Sequence, residues 1–139
     1  MIYQALLRLE DAAPDNLRFL WAKAEFLGEI FAAQEVNRLY LNFSDPWPKA
    51  RHHKRRLTYQ SFLDIYRYIL ADDGSLFFKT DNKDFFFWSK EQFLENHWLI
   101  AEEDQALPLS KAGFTTEYED RYRRRGQPIY FLHLQKQEP

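Results

Sequence analysis

Hydrophobic and polar residues follow two different periods along this chain, one typical of helices and one typical of strands. Near the start, Ile2, Leu6 and Leu9 recur at helical spacing and predict a helix with one apolar face. The dense apolar run Leu17–Ala22 predicts a strand, and Glu25–Ala33 predicts a helix after it. The first part of the chain therefore predicts the order helix, strand, helix.

The same alternation continues to the end of the chain. The predicted elements are, in order, strand Arg38–Phe43, a helix capped by Thr58 that buries Phe62, Tyr66 and Ile69, a turn at Asp72–Gly74, strand Ser75–Lys79, helix Asp84–His97 and strand Pro128–Leu134. Strands that alternate with helices are typical of an α/β domain whose sheet is mainly parallel. Because no repeat, linker or low-complexity segment interrupts this order, residues 1–139 are interpreted as a single domain.

The composition favours a folded domain over a disordered chain. Hydrophobic residues make up 45% and aromatic residues 18% of the 139 residues, which is enough to bury a core. No apolar stretch reaches the roughly 18 residues of a membrane span, and no basic segment precedes a signal-type core. We therefore expect a cytoplasmic protein without membrane contact. The chain has no cysteine, which excludes disulfides, thiolate nucleophiles and cysteine metal sites.

Charge is distributed very unevenly, although the formal net charge is only -2. Four fixed cations and two histidines lie within Arg51–Arg56, and Arg121–Arg125 holds a second basic cluster. Such clusters favour a polyanionic partner such as a phosphate backbone, and a solvated charged loop is the alternative. His52 and His53 are adjacent and have no third ligand at a recognisable spacing, so no metal site is predicted.

An acidic loop follows the strand predicted at Arg38–Phe43. Asp45 lies directly after that strand, and in open α/β sheets ligands bind at the carboxyl ends of strands. Pro46 and Pro48 restrict the backbone on both sides of Trp47, so the carboxylate would be held in one place. Asp45 is therefore a candidate catalytic residue; the alternative is a tight surface turn without chemistry.

Two further polar segments lie where loops could converge on the same edge of the sheet. They are Lys79–Asn82, after the next strand, and Thr116–Glu119, ahead of the second basic cluster. The carboxylates of Asp81 and Glu117 could accept hydrogen bonds from the ring N–H and the exocyclic amine of guanine. Both segments could equally begin helices, since Asn and Thr are good N-caps and acids favour a first helical turn.

Taken together, these motifs resemble those of the bacterial tRNA (guanine-N7)-methyltransferases. The matching segments are Asn42–Lys49, Arg51–Arg56, Lys79–Asn82, Thr116–Glu119 and Gly126–Tyr130. They occur in the family's order and roughly at its spacing, and the resemblance extends from about Leu17 to Leu134. It implies a Rossmann-like class I methyltransferase sheet and transfer of a methyl group from S-adenosylmethionine to N7 of the variable-loop guanine of tRNA.

The resemblance also implies a role for each motif. Asp45 would be the catalytic acid, in contact with S-adenosylmethionine at the junction of cofactor and substrate. The residues implied in substrate binding are Lys49, Asp81, Thr116, Glu117, Tyr118 and Glu119. The residues implied in RNA binding are Arg51, His52, His53, Lys54, Arg55 and Arg56. Because guanine N7 carries a free lone pair, we expect Asp45 to orient the base rather than to remove a proton from it.

The chain departs from the family pattern in its cofactor half. It has 4 glycines, at Gly28, Gly74, Gly113 and Gly126, and none belongs to a glycine-rich loop after a strand. The resemblance therefore implies a domain truncated at the N-terminus, without the first two strands and that loop. Lys23 stands where the family usually has an acid near the adenine.

Absence of those strands would leave a gap in the sheet between Leu17–Ala22 and Arg38–Phe43. We expect either that these two strands pair with each other or that a second copy completes the sheet as a homo-oligomer. Two alternatives to an active enzyme stay open. One is a catalytically inactive truncated member that retains tRNA binding, and the other is a fragment that folds through self-association.

Overall fold

A computed structural model describes residues 2–9 and 14–138. Its helices are α1 (Ile2–Leu9), α2 (Leu27–Ile30), α3 (Gln60–Ile69), α4 (Lys83–Glu95) and α5 (Glu117–Arg124). Its strands are β1 (Val36–Asn42), β2 (Leu70–Thr80), β3 (Trp98–Asp104) and β4 (Tyr130–Lys136). The helix predicted at the start corresponds to α1, while the side chains of Ile2 and Leu6 lie outside the described part of the chain. Among the described residues, no helix has the length and apolar content needed to cross a bilayer.

The strands form one mixed sheet in the order β1-β2-β4-β3. β1 runs parallel to β2, with Leu39 paired with Leu76, whereas β4 is antiparallel to both β2 and β3. The α/β class is confirmed, but the prediction of a mainly parallel sheet is wrong. The sequence pattern did not reveal β3, because the acids Glu102–Asp104 obscure its apolar residues. β4 then enters the sheet between β2 and β3 from the opposite end.

The segment Leu17–Ala22 was predicted as a strand and is irregular in the structure. Trp21 exposes 92% of its surface there. Backbone groups in a strand need a ladder of partners, and among the described residues β1 pairs only with β2. The predicted strand is therefore wrong, as is the expected pairing between it and β1. The helix predicted at Glu25–Ala33 is shorter than expected, consisting of a 3-10 turn at Ala24–Phe26 followed by α2.

β2 is longer than expected because it includes Asp72–Gly74, which was predicted as a turn. The register between β1 and β2 shifts between Val36 and Arg38. Residues 72–74 therefore form a bulge-like irregularity within β2 and do not reverse the direction of the chain. Only glycine fits at position 74. A Cβ atom there would lie 2.8 Å from Leu70 Cγ and 3.0 Å from the carbonyl oxygen of Asn37.

The core lies between one face of the sheet and helices α3 and α4. Its deeply buried side chains include Leu63, Tyr66, Ile69, Leu76, Phe78, Phe85, Phe86, Phe93, Trp98, Leu132 and Leu134. A smaller apolar cluster of Leu107, Ala112, Ile129 and Phe131 lies elsewhere in the fold, with Phe43, Phe77 and Tyr122 packed against it. The first cluster holds the helices on the sheet, and the second supports the loop that precedes α5.

Thr58 does not cap α3, which begins after Tyr59 without a side-chain cap. The Thr58 hydroxyl is buried and lies 2.7 Å from the Ser89 hydroxyl of α4. The predicted cap is wrong because a tertiary partner takes the hydroxyl that would otherwise accept from the helix backbone. Thr58 therefore joins the start of α3 to α4.

Candidate active site

The loop after β1 has an unusual backbone on both sides of Asp45. Phe43 and Trp47 have φ angles of 55° and 40°, in the left-handed region that non-glycine residues rarely occupy. Phe43 is held there by a 2.9 Å hydrogen bond from its N–H to the Lys79 carbonyl oxygen at the end of β2. Strained backbone of this kind persists only where the surroundings enforce it, and it clusters at functional sites.

Arg56 fixes the far side of this loop. Its Nε donates a 2.8 Å hydrogen bond to the Pro46 carbonyl oxygen, and its guanidinium lies 4.6 Å from the centre of the Trp88 ring. Burial lowers the pKa of Arg56, and the charge of Asp84 acts in the opposite direction. Only 5% of the residue is exposed, so its guanidinium offers little surface to RNA, and its role in RNA binding stays a prediction. Through Pro46, Arg56 holds the Asp45 loop.

The remaining basic residues form a smaller surface than the sequence suggested. Arg55 stacks over Trp47 at 5.0 Å, His52 packs edge-on against the same ring at 5.5 Å, and His53 packs against Trp88 at 5.5 Å. Partial burial lowers the pKa of His53, and the charge of Arg56 adds to this effect. The exposed cations available to a polyanion are Lys49, Arg51, Lys54 and Arg55.

A cavity of about 390 Å³ opens where β1 and β2 end, and we call it the first cavity. Its lining consists of Phe43, Ser44, Asp45, Pro46, Thr80, Asp81, Asn82, Tyr118 and Tyr122. It therefore brings Asp45, Asp81 and Tyr118 together, as expected for residues that share one ligand. Asn82 also caps α4 by accepting a 2.9 Å hydrogen bond from the Phe85 N–H. The segment Lys79–Asn82 thus both caps α4 and contributes to the wall of the first cavity.

Tyrosines of α5 form one wall of the first cavity. The Tyr118 ring lies 4.8 Å from the Phe43 ring and 4.5 Å from the Tyr122 ring, and its hydroxyl donates to the Tyr122 hydroxyl over 3.0 Å. Burial raises the pKa of Tyr118, and the hydrogen bond to Tyr122 and the charge of Asp81 act in the same direction. The Tyr118 hydroxyl therefore stays protonated at neutral pH.

A second cavity, of about 720 Å³, lies on the other side of Asp45. Its lining consists of Lys23, Ala24, Glu25, Ser44, Asp45, Trp47, Lys54, Arg55, Leu57 and Phe62. Ser44 and Asp45 belong to both cavities. The Ser44 hydroxyl is buried without a hydrogen-bond partner. A hydroxyl in this position can both donate a hydrogen bond to a bound molecule and accept one from it.

Glu119 lies behind the first cavity rather than in it. Its carboxylate is fully buried and accepts from Lys79 Nζ at 2.8 Å and from Arg123 Nε at 2.9 Å. Lys79 also donates to the Ala112 and Phe114 carbonyl oxygens at 2.9 and 3.0 Å. Both carboxylate oxygens have a cationic partner, and the expected direct contact of Glu119 with substrate stays a prediction. The Glu119 carboxylate thus links α5 to the end of β2.

The other predicted substrate residues lie outside the first cavity. Thr116 caps α5, where its hydroxyl accepts a 3.1 Å hydrogen bond from the Glu119 N–H, and its side chain faces a neighbouring cavity. Glu117 is exposed and pairs with Arg8 at 3.0 Å. Lys49 is exposed at the start of the 3-10 turn that carries the basic residues.

Sequence reasoning missed Phe43, Ser44 and Tyr122 as parts of the site. Ser44 stood next to a candidate acid, which was its only signal. Tyr122 follows Tyr118 by four residues and so shares its helix face once α5 is recognised as a helix.

The chain is similar in sequence to curated methyltransferases. A tRNA (guanine-N(7)-)-methyltransferase of Brevibacillus brevis is 47% identical over 133 residues, covering 94% of this chain and 62% of the relative. A protein of the same name from Bacillus subtilis is 42% identical over 132 residues, covering 94% of this chain and 62% of the relative. The chain thus spans about three fifths of the length of the curated relatives it matches.

Solved structures with similar folds include a "Complex between the Haloferax volcanii Trm112 methyltransferase activator and the putative methyltransferase". The TM-score is 0.56 at 16% identity, covering 92% of this chain and 64% of that chain. A "putative methyltransferase from Thermoplasma acidophilum" has a TM-score of 0.54 at 10% identity, covering 99% of this chain and 53% of that one. The family described as "Putative methyltransferase" matches residues 1–132. The resemblance seen in the motifs is confirmed, and the chain belongs to this methyltransferase family.

Proposed function

We propose that this chain acts in a tRNA (guanine-N7)-methyltransferase, in which the first cavity holds the target guanine and the second holds the methyl donor. One observation carries the proposal: Ser44 and Asp45 line both cavities. A group-transfer enzyme must hold donor and acceptor in contact, and a shared wall of two residues provides such a junction. The names of the relatives support this choice of substrate.

The second cavity fits S-adenosylmethionine on the side that this chain supplies. When bound, that cofactor supplies an electrophilic methyl group on a positively charged sulfur. The Asp45 carboxylate suits its cationic groups, the free Ser44 hydroxyl offers a hydrogen bond, and the Trp47 ring offers an apolar surface. Lys23 and Glu25 both line this cavity, with Lys23 Nζ 4.0 Å from a Glu25 carboxylate oxygen. The 4 glycines of the chain form no glycine-rich loop, so the opposite side of the cofactor must be held by other groups.

The residues of the first cavity position the base. Guanine N7 carries an in-plane lone pair, so the chain needs no general base and acts by alignment. The Asp81 carboxylate accepts from the ring N–H and exocyclic amine of guanine, and Tyr118 provides an aromatic surface. Asp45 orients the base from the cofactor side. The strained Phe43 and Trp47 backbones and the Arg56 hydrogen bond keep Asp45 in place.

The exposed cations Lys49, Arg51, Lys54 and Arg55 bind the RNA backbone beside the cavities. Contacts of this type are independent of sequence and sensitive to salt. Selection of the target then comes from RNA shape and from a base that can leave its stack. With tRNA as the substrate, we expect the protein to act in the cytoplasm.

A second copy of the chain completes the sheet at β1. The Phe43 N–H and the Asn37 carbonyl both face β2, so the backbone groups of Arg38, Tyr40 and Asn42 face the open edge. β1 is a regular edge strand with no proline and a single charge, which is a template for pairing.

Antiparallel pairing of two copies centred on Tyr40 is self-complementary. Tyr40 then lies opposite its own copy, Arg38 lies opposite the neutral Asn42, and Leu39 lies opposite Leu41. Apolar grooves of about 430 and 360 Å³ adjoin β1 and would receive side chains of the added strand. This arrangement avoids like charges across the pair.

The function is tested by transfer of labelled methyl from S-adenosylmethionine to a tRNA transcript, beside a transcript whose variable-loop guanine is replaced. Label on the intact transcript alone is the expected result. Salt-sensitive tRNA binding without any label would overturn the catalytic proposal. It would instead support an inactive member that retains RNA binding, the alternative favoured by the missing glycine-rich loop.

A further inference from the structure

The second basic cluster lies at the C-terminal end of α5 and has no part in the site described so far. Arg121, Arg124 and Arg125 are exposed there, and none of the three forms an ion pair with another described residue. Arg123 differs from them, because its Nε donates to the buried Glu119 carboxylate at 2.9 Å. We call Arg121, Arg124 and Arg125 the α5 cations.

The α5 cations are crowded together. Arg121 is three residues from Arg124 and four from Arg125, and residues at these spacings are neighbours on a helix surface, where like charges repel each other. Glu117, four residues before Arg121, could relieve this repulsion, but it pairs with Arg8 at 3.0 Å. The favourable interaction of a cation with the C-terminal end of a helix accounts for one such residue rather than for a cluster. The crowding therefore favours a polyanion bound at this surface.

The α5 cations lie at the rim of the first cavity. The guanidinium of Arg125 is 5.8 Å from the centre of the Tyr122 ring, and Tyr122 lines that cavity. On the other side of Asp45, Lys54 and Arg55 line the second cavity. The two basic surfaces are therefore separated by the wall that the two cavities share. Cations thus lie on both sides of the site, with α5 on the side of the first cavity and the 3-10 turn on the side of the second.

We infer that the α5 cations bind the RNA backbone on one side of the target nucleotide, while the exposed cations that follow the Asp45 loop bind it on the other side. The RNA chain then crosses the site with phosphates held at both ends, which positions the nucleotide without reading its sequence. This inference rests on the proposed function for its RNA substrate. It assigns to the α5 cations a binding role that neither methyl transfer nor recognition of the base requires.

The first test is the salt dependence of binding to the tRNA transcript. A variant that combines Arg121→Gln, Arg124→Gln and Arg125→Gln should lower the slope of log affinity against log salt by about two, because each phosphate contact contributes roughly 0.7. Lys at the same three positions keeps the charge and should keep the slope. Lys90→Gln is the control, because Lys90 pairs at 2.7 Å with Glu103 of β3, at the far edge of the sheet.

An unchanged slope in the triple Gln variant would overturn the inference, as would an equal reduction in Lys90→Gln. A loss of slope shared by the triple Gln and triple Lys variants would also overturn it, since charge would then not be the cause. Binding that depends on the α5 cations without any methyl transfer would contradict only the proposed chemistry. Methyl transfer with a salt slope that ignores the α5 cations would contradict only this inference.

A second test uses two shortened RNAs to check that the two basic surfaces hold opposite sides of the nucleotide. One RNA begins at the target guanine and the other ends at it, so each keeps the backbone on one side only. The triple Gln variant should lower the salt slope for one of these RNAs, and Lys54→Gln should lower it for the other. If both variants lower the slope for the same RNA, the two surfaces bind the same stretch of backbone and the inference is wrong.

Discussion

The ammonium group of Lys79 lies 2.8 Å from the fully buried carboxylate of Glu119. This pair connects the end of β2 to α5, and therefore connects the strand that leads to Asp81 with the helix that carries Tyr118 and Tyr122. Arg123 takes the second carboxylate oxygen at 2.9 Å and donates to the Leu107 carbonyl oxygen at 2.7 Å. The wall of the first cavity thus depends on a buried charge network.

Replacing Glu119 by Gln should destabilise the protein by about 3–5 kcal/mol, because the charge of Lys79 would remain buried without its partner. Urea denaturation at neutral pH measures this change. Glu117→Gln is the matched control, since Glu117 forms an exposed pair with Arg8 and its loss should change stability little. Equal effects of the two substitutions would show that the buried pair contributes no more to the free energy of unfolding than the exposed pair does.

Arg56 and its neighbour Lys54 should respond differently to substitution, although both belong to the same basic segment. Lys54→Gln should lower the salt dependence of tRNA binding by about one in slope, because it removes an exposed cation. Arg56→Gln should leave that slope unchanged and instead reduce methyl transfer, because it releases the Pro46 carbonyl and the Asp45 loop. Affinity measured over a salt series separates the two. A lower slope for Arg56→Gln would place its side chain on the RNA.

Asp45→Asn should lower the rate of methyl transfer about a hundredfold or more, because the base and the donor lose their common point of alignment. Single-turnover transfer of labelled methyl to tRNA measures this rate. The affinity for tRNA should stay close to that of the parent, since the exposed cations are untouched. Asp64→Asn, on the exposed side of α3, is the control and should transfer methyl normally. A parallel loss of rate and tRNA affinity would contradict the proposed role of Asp45.

Tyr40→Cys should form a disulfide-linked dimer under mild oxidation, because the proposed pairing places this position opposite its own copy. The chain has no other cysteine, so the cross-link reports one contact only. Arg38→Cys is the control and should remain monomeric in a denaturing gel, since it would lie opposite Asn42. Light scattering that finds only monomer in the parent would rule out the pairing.

The stability of the chain should fall as the pH is lowered below about 6.5, in part because of His53. Burial and the charge of Arg56 hold the folded-state pKa of His53 below its ordinary value. The unfolded chain therefore binds the proton first, and the stability present above that pH is lost as the pH falls towards the folded-state pKa. As the pH is lowered through this range, the urea midpoint of unfolding should fall less in His53→Gln than in His97→Gln. Equal declines would contradict the assignment to His53.

Much of the site was already determined by the sequence. The motif order identified the family, and the position of Asp45 after a strand predicted that it would lie in a ligand cavity, because parallel strands end at a common edge. The sequence motifs likewise point to Asp81 and Tyr118, which line the same cavity. Local patterns sufficed here, since strand ends and short motifs are properties of neighbouring residues.

The tertiary structure alone decided which charged residues are accessible to a partner. The motifs of Arg56 and Glu119 predict contacts with RNA and with substrate, yet both side chains are buried. Arg56 is enclosed by Pro46 and Trp88. Glu119 is enclosed by Lys79 and Arg123. The same holds for the larger elements. Whether Leu17–Ala22 forms a strand depends on a partner strand, and the antiparallel entry of β4 depends on where the chain returns to the sheet. Partners distant in sequence determine these outcomes, so no local pattern contains them.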